Sequence, residues 1–526
     1  QTAVLSGLIN SPNNYSPFKN PENCLKRRNF ILKVMQENGY IGAIEREKAE
    51  KEPLPTESAR GISAAQCYYG AVMDELEEQI GEEFYGGLKV YTFLDVKLQE
   101  ELEKQAENAA MDKSFCVIDN RKHALKAFYS TIGRAKRLPG STIKPLLVYA
   151  PALQENAISP ATPILDEKIN FSGYSPSNYD GIYHGYVSAR EALSQSYNVP
   201  AVKILNTIGV DKGISYLEKM ELSVKESDRS LALALGGMAE GYSLPELCSA
   251  YSSFADNGYF TPCECIRKIT DEDGKILYER REKRRSVFDE ESVTLLNDML
   301  MSATKAGTAK KMRGLPYEVC AKTGTCGNEK GNTDAYCIAY TARDTIGVWL
   351  GYADNHPFES INGGGKPTNI NLNIQEFLYK NSPPCPFEKS KNVVKCALDK
   401  MEYAKNHKLV LCDQNAPVQE KTLQELFKNS AKPKETSAYF SRPTLPTPHI
   451  YTNNIGVCIE LCQREYLTII INRQDSKGFT TVYRGKCVEK FYDPDVKAGE
   501  KYIYSVTPYY GRFVGETVVL PEVIFR

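Results

Sequence analysis

The chain has 526 residues, 42% hydrophobic and 25% charged, with 65 Lys and Arg against 66 Asp and Glu. This is ordinary globular composition with ample core, and the length suggests about three to four domains. The balanced charge argues against a nucleic-acid binder, and no run of about 18 apolar residues marks a membrane span or a signal peptide. Fifteen cysteines contain no C-x-x-C pair and are accompanied by only five histidines. No metal site and no cofactor are expected, and scattered cysteines read as free, buried thiols of a reducing setting.

The chain opens on Gln1 in what reads as mid-domain sequence, so a piece of a longer protein is expected. Residues 1–52 read as a helical tail, punctuated by Pro12 and Pro17, with a helix that opens at Asn20-Pro21 and stops near Gly39. Residues 53–112 read as a connector broken by Pro53, Pro55 and Gly61. Within it, Val90 to Leu94 alternates like a strand, and Asp95 is placed to cap a helix from about Leu98 to Ala109. Phe115 to Ile118 and Ala124 to Tyr129 are short apolar strands separated by a turn at Asp119-Asn120. Leu244 to Phe254 and Val293 to Met301 read as core helices. Asp334 to Ala339 and Asp344 to Gly351 read as strands beside Val319 to Gly327, which together form an antiparallel sheet. The lone tryptophan, Trp349, is assigned to the core. Gly363 to Gly365 reads as a flexible loop. Ser441 to Pro448 is a stiff linker, and the short alternating strands beyond it form a small β-sandwich.

Three polar clusters stand out. Ser141 opens an apolar run, Leu146 to Ala150, and Lys144 lies three residues on. If that run is helical, the two side chains share a face, so the amine can reach the hydroxyl and take its proton. Pro145 falls in the first turn, where backbone N–H groups are unpaired anyway. The same S-x-x-K spacing recurs at Ser302 and Lys305, where it reads as an accident of a helical surface. Ser196-x-Asn198 lies between two helical pieces, and Lys322-Thr323-Gly324-Thr325 lies on a strand.

The trio in this order resembles the signature of penicillin-binding proteins and serine β-lactamases. The resemblance extends further. Leu5 to Leu8, Tyr15-Ser16-Pro17 and Arg27-Arg28-Asn29 resemble the end of the glycosyltransferase domain of class A penicillin-binding proteins. Gly86 to Thr92 resembles the entry to their transpeptidase domain, and Phe171 to Gly181, Gly236-Gly237, Phe254 to Gly258 and Asp334-Ala335-Tyr336 also match. The implied fold is α+β, an antiparallel sheet with helices on both faces, followed by a β-sandwich similar to a fibronectin type III module. The implied division is 1–52, a glycosyltransferase remnant; 53–112, a linker; 113–440, a transpeptidase domain with an extension; and 441–526, the sandwich.

What the resemblance implies for function is a serine D,D-transpeptidase that crosslinks peptidoglycan stem peptides and is inhibited by β-lactams. By resemblance, Ser141 is the nucleophile and Lys144 its base, with Lys322 the neighbouring cation. Ser196 relays a proton to the leaving amine, and Asn198 holds the substrate amide. Thr323, Thr325 and Lys322 receive the terminal carboxylate, and the N–H groups of Ser141 and Thr325 form the oxyanion hole. Gly324 lets the substrate backbone lie close. The implied partners are a D-Ala–D-Ala donor, an amine acceptor and β-lactams, at the extracytoplasmic face of a bacterial membrane reached through a missing upstream part. No glycosyltransferase activity is expected of this chain. A D,D-carboxypeptidase or β-lactamase, with water as acceptor, and a non-catalytic β-lactam sensor or scaffold are the rival readings. Cys326, directly after the third motif, is expected to point into the sheet rather than line the cleft.

Overall fold

The computed structural model describes all residues except 1, 12–13, 18–19, 55–64, 82–86, 108–110, 329, 359–360, 414–421 and 438–439. Pro12, Pro55, Gly61, Gly86 and the Ala109 end of the expected helix therefore lie outside the described residues. No helix among the described residues is long and apolar enough to cross a membrane.

A five-stranded antiparallel sheet carries the middle of the chain. Its spatial order is Cys320–Asn328, Gly331–Tyr340, Asp344–Gly351, Asp112–Asp119 and Ala124–Ser130. The central strands read as continuous apolar runs because both faces are covered. Side chains alternate across the pleat. Phe115, Val117, Ile346, Val348 and Leu350 face one core with Leu98, Leu102, Ile370 and Ile374. Those four residues belong to the helices Val96–Glu107 and Lys366–Tyr379. Cys116, Ile118, Tyr336, Ile338 and Trp349 face the other, larger core, which holds the helices Leu244–Ala255 and Glu290–Lys305. The sheet with helices on both faces is thus as the sequence implied.

Asp95 accepts from the Leu98 backbone N–H at 3.1 Å and caps the helix Val96–Glu107. Asn257 and Gly258 take left-handed φ values just past the helix Leu244–Ala255, as a C-terminal stop requires. Trp349 is buried, and its indole N–H donates to Asp334 at 2.9 Å.

The stretch 53–112 is more than a connector. Helix Gln66–Ile80 packs into the larger core through Tyr68, Ala71 and Val72, strand Lys89–Thr92 pairs with Ile266–Thr270, and helix Val96–Glu107 covers the sheet. Its Pro and Gly content suggested a linker, but the apolar residues between those breaks find partners far along the chain. Residues 1–52 hold the helices Thr2–Asn10, Pro21–Glu37 and Ala43–Lys51. At the other end, His449–Asn453, Gly456–Glu460 and Lys490–Asp493 form one sheet, and Thr468–Asp475, Gly478–Lys486 and Lys501–Tyr510 form most of a second. The two share a core that includes Val457, Ile469, Tyr502, Tyr504 and Val506. Strands His449–Asn453 and Lys490–Asp493 were not anticipated, because neither alternates cleanly in burial.

Close packing of a helix on the sheet is set at Gly347, where a Cβ would stand 2.3 Å from Cys248 Sγ and 3.0 Å from Leu244 Cδ1. Gly347→Ala is expected to destabilise by about 1–3 kcal/mol, the usual cost of overpacking a filled core. Differential scanning calorimetry would read this as a lower transition temperature, partly recovered in a Gly347→Ala/Cys248→Ala double variant.

Candidate active site

Ser141 sits in a tight turn, Gly140–Thr142, followed by a wide five-residue turn, Pro145–Tyr149, and a short helix, Ala150–Gln154. The run is helical as expected but not uniformly α. Pro151 has no N–H to give the Leu147 carbonyl, and the Ala150 N–H reaches back to Pro145, the i to i+5 bond of a π-bulge. The Ser141 turn is wedged between two other backbones. A Cβ on Gly236 would lie 2.5 Å from Gly140 N, and one on Gly324 would lie 2.7 Å from Thr142 Cγ2 and 3.1 Å from the Pro139 carbonyl oxygen. The chain's own Ser141 turn packs closely on Gly324, a reason for glycine that stands beside the expected approach of substrate. Gly140 itself has φ 52, left-handed, a conformation glycine takes without strain.

Lys144 projects from this turn into the second motif. Its Nζ donates to Asn198 Oδ1 at 2.7 Å and to the Ser196 and Tyr197 carbonyls at 2.7 and 3.1 Å, and lies 3.4 Å from Ser196 Oγ. Among the described residues no hydrogen bond joins Lys144 to Ser141, so the expected direct pair is not formed in this state. The amine is instead held by the Ser196–Asn198 corner. Catalytic hydrogen bonds are often loose before substrate arrives. Ser196 has φ 64, a left-handed conformation rare outside glycine and asparagine and costly to hold. It turns the chain between helices Ala189–Ser194 and Asn198–Ile208 so that carbonyl 196 and side chain 198 both face Lys144.

Lys322 lies on the edge strand Cys320–Asn328 and donates to Ser196 Oγ at 2.7 Å and to the Thr323 carbonyl at 2.8 Å. The Ser196 hydroxyl thus stands between two lysine amines, both fully buried. Among the described residues neither amine has a carboxylate partner within 4.0 Å. Burial pushes the Lys144 amine well below the usual lysine range, and the nearby Lys322 charge pushes it further. Burial also lowers Lys322, to about 7. Two buried amines without a counter-ion cannot both stay protonated cheaply, so one of them is available as a base near neutral pH.

A cleft of about 660 Å³ lies over this cluster, lined by Ser141, Ser196, Asn198, Thr323, Gly324 and Thr325, among others. Every residue named from the three motifs except the two buried lysines lines it, and both lysines touch its floor through Ser196. Cys326 lines it too, donating to the Leu138 carbonyl at 3.2 Å. The expectation that it points into the sheet is wrong: Cys326 alternates with Lys322 and Gly324 along the strand and, like Gly324, faces the turn that carries Ser141. Gly363 and Gly364 also line the cleft, and the Gly363 N–H donates to Thr325 Oγ1 at 3.2 Å. The segment read as a flexible loop is a cleft wall. The second S-x-x-K match stays outside: Ser302 accepts from Arg190 at 2.9 Å, and Lys305 is exposed.

Three supporting residues escaped the sequence reading. Thr308 Oγ1 accepts from Thr323 Oγ1 at 2.7 Å. Asn178 Oδ1 accepts from the Asn198 N–H at 2.7 Å, while its Nδ2 donates to the buried Asp166 at 2.6 Å. The Asn178 signal was the Phe171 to Gly181 stretch, which resembles the family but assigns no role; the other two leave no local signal.

Residues 110–358 match the family model described as the penicillin binding protein transpeptidase domain. This part of the chain belongs to that family. The chain is 33% identical to penicillin-binding protein 1F of Bacillus subtilis over 398 residues, 70% of this chain and 55% of the relative. It is 27% identical to penicillin-binding protein 1A/1B of the same organism over 84% of this chain and 52% of the relative. The chain thus spans about half the length of these curated relatives. In fold it is similar to penicillin-binding protein 1A from Haemophilus influenzae, with a TM-score of 0.62, 19% identity and coverage of 82% of this chain and 86% of that one. It is also similar to PonA1 from Mycobacterium tuberculosis, with a TM-score of 0.55, 19% identity and coverage of 61% and 93%. A second PonA1 structure, TM-score 0.52 and 19% identical over 62% of this chain and 93% of that one, is a complex with penicillin V.

In this penicillin-binding protein transpeptidase domain the two lysines are expected to titrate as a coupled pair. Lysine side-chain NMR should show one amine with an apparent pKa near 7, lost in Lys322→Met. The same substitution should raise the pKa of Lys144 by removing a like charge. Because the folded value of Lys322 lies below its unfolded one, the unfolded chain binds more protons between pH about 7 and about 10.4. Stability contributed by this group therefore rises with pH across that window, and Lys322→Met should flatten the rise in chemical denaturation series.

Proposed function

We propose that this chain is a serine D,D-transpeptidase that forms an acyl-enzyme at Ser141. The observation that carries the reading is the pair of buried, uncompensated lysine amines meeting at one serine hydroxyl beneath the Ser141 turn. In the first step the neutral Lys144 amine takes the Ser141 proton as Oγ attacks the penultimate D-Ala carbonyl. The developing oxyanion is received by the backbone N–H groups of Ser141 and Thr325. The placement of Ser141 in the opening turn of its helical run and of Thr325 on the edge strand supports that role. The C–N bond then breaks, and the Lys144 proton passes through the Ser196 hydroxyl to the departing D-Ala amine. In the second step an amine of another stem peptide attacks the ester, loses a proton by the reverse route and releases Ser141.

Lys322, Thr323 and Thr325 receive the substrate carboxylate, and Asn198 both holds Lys144 and contacts the substrate amide. The solved relative bound to penicillin V supports β-lactams as inhibitors, since a β-lactam offers Ser141 a strained amide with a carboxylate beside it. The reading places the chain at the extracytoplasmic face of a bacterial membrane, with glycan polymerisation left to other sequence. The proposed division keeps 1–52 and 441–526 as separate units and joins residues 66–107 to the catalytic one.

Incubation with benzylpenicillin followed by intact-mass and peptide analysis is expected to find one penicilloyl adduct, on Ser141, absent in Ser141→Ala. With a peptide ending in D-Ala–D-Ala and a D-amino acid as acceptor, exchange should exceed hydrolysis. Rapid penicillin turnover without a lasting adduct would make the protein a hydrolase. No adduct at all would favour a non-catalytic scaffold.

A further inference from the structure

Lys310 is the only charged residue among the described residues that line the cleft. It is exposed, and among the described residues its amine has no hydrogen-bond or ion-pair partner, whereas the adjacent Lys311 is tied to the Gly365 carbonyl at 3.2 Å. The backbone that carries Lys310 is pinned. A Cβ on Gly307 would collide with the Ser194 carbonyl oxygen, the Thr308 N–H donates to that same oxygen at 3.1 Å, and the Lys310 N–H donates to the Gly307 carbonyl at 3.2 Å. Thr308 also accepts from the Thr323 hydroxyl at 2.7 Å, and a Cβ on Gly364 would stand 2.5 Å from the Thr308 carbonyl oxygen. A rigid wall thus presents one cation at the Thr323 end of the cleft.

The two lysines beneath the floor have other work. Lys322 is committed to Ser196 Oγ and the Thr323 carbonyl, and burial lowers its amine to about 7. Lys144 is enclosed by the Ser196–Asn198 corner. Their charge near neutral pH is partial and is bound up with proton transfer. Lys310 stands outside that network, and no Asp or Glu among the described lining residues offsets its field. A cleft with one sign of charge concentrates ligands of the other.

We propose that Lys310 is a substrate-binding, specificity-determining residue that joins Thr323 and Thr325 in receiving the carboxylate of whichever amine lies on the leaving-group side of Ser141. The acceptor used by this chain is therefore an amine with a carboxylate on the neighbouring carbon, in preference to a side-chain amine far from any carboxylate. The proposal rests on the transpeptidase reading for its chemistry. The second step reverses the first: the new C–N bond forms as the bond to Ser141 Oγ breaks, and the amine proton returns through Ser196 and Lys144 to Oγ. An amine entering by the path along which D-Ala left brings its own carboxylate to the place that D-Ala vacated. One cation then reads both ligands.

Lys310 is exposed, so its variants should fold. The first test needs no chemistry. In Ser141→Ala, ligand-detected NMR titration compares a peptide ending in D-Ala–D-Ala with its C-terminal amide. The acid should bind better, and adding Lys310→Met should shrink that preference roughly two- to fivefold, the weight of an exposed ion pair, by weakening the acid alone. Lys310→Arg should keep the preference, and Lys310→Glu should lower it further. Salt near about 0.5 M should remove the same part of the preference, since it screens exposed charges. With Ser141 present, the ratio of exchange into D-methionine over D-methioninamide should fall by a similar factor in Lys310→Met.

An acid preference unchanged in Lys310→Met, or equal weakening of acid and amide, would overturn the proposal, and a penicilloyl group on Ser141 in the same protein would show that the transpeptidase reading survives it. An unchanged acceptor ratio would overturn the acceptor assignment. Loss of the acid preference in a protein that takes no penicilloyl group and exchanges no D-Ala would uphold Lys310 as a carboxylate-binding residue and overturn both the acceptor assignment and the transpeptidase reading. Binding of neither peptide would overturn all three.

Discussion

The structure turns on one buried amine. Lys144 is fully enclosed, and burying a cation without a counter-charge is among the costliest things a fold can do. The protein meets that cost with oxygen dipoles in place of a carboxylate. Two carbonyls and the Asn198 amide oxygen hold Nζ within 2.7–3.1 Å. The three acceptors match the three donors of the ammonium; the neutral amine keeps two of these bonds and frees a lone pair, a smaller loss than leaving a full carboxylate counter-charge would be. The second lysine acts in the same direction: Lys322 sits beyond the Ser196 hydroxyl and disfavours a proton on Lys144.

That arrangement needs three distant segments to meet within hydrogen-bond range, and glycine makes the meeting possible. The Ser141 turn lies flat between Gly236 and Gly324, where added Cβ atoms would fall 2.5 and 2.7 Å from its atoms. The left-handed Ser196 then points its carbonyl and its neighbour's side chain inward, and Asn178 braces the helix that starts at Asn198. The Arg137–Asp334 ion pair at 2.8 Å ties the segment before Ser141 to the sheet, with Trp349 donating to the same carboxylate. The position of Ser141 is thus a property of the core.

Much of this was legible in the sequence, for physical reasons that differ by element. The sheet and its flanking helices announce themselves because the strands are short continuous apolar runs, as in Phe115 to Ile118, and the helices bury apolar residues over more than two turns, as in Leu244 to Phe254. The three motifs are legible because their residue types are chemically specific and occur in a fixed order. Contacts made across space are not legible. Nothing in Gly363-Gly364-Gly365 distinguishes a loose loop from a wall laid against Thr325. Cys326 lines the cleft because its side of the strand is the one the Ser141 turn packs on, and alternation alone does not say which side that is. The missing Ser141–Lys144 bond has the same origin. Spacing places both side chains on one face, while the acceptors that draw Lys144 away come from a segment more than 50 residues further along the chain.

The central claim is that Lys144 acts as the base for Ser141, and the most direct measurement is the rate of penicilloyl transfer to Ser141 in Lys144→Met, with thermal unfolding of the same variant recorded in parallel. Methionine fills a comparable volume without an amine. Loss of a general base typically costs about 10²–10⁴ in rate, so the expected result is a fall of that size in a variant that still unfolds cooperatively near the wild-type temperature. Acylation at close to the wild-type rate in the folded variant would contradict the account.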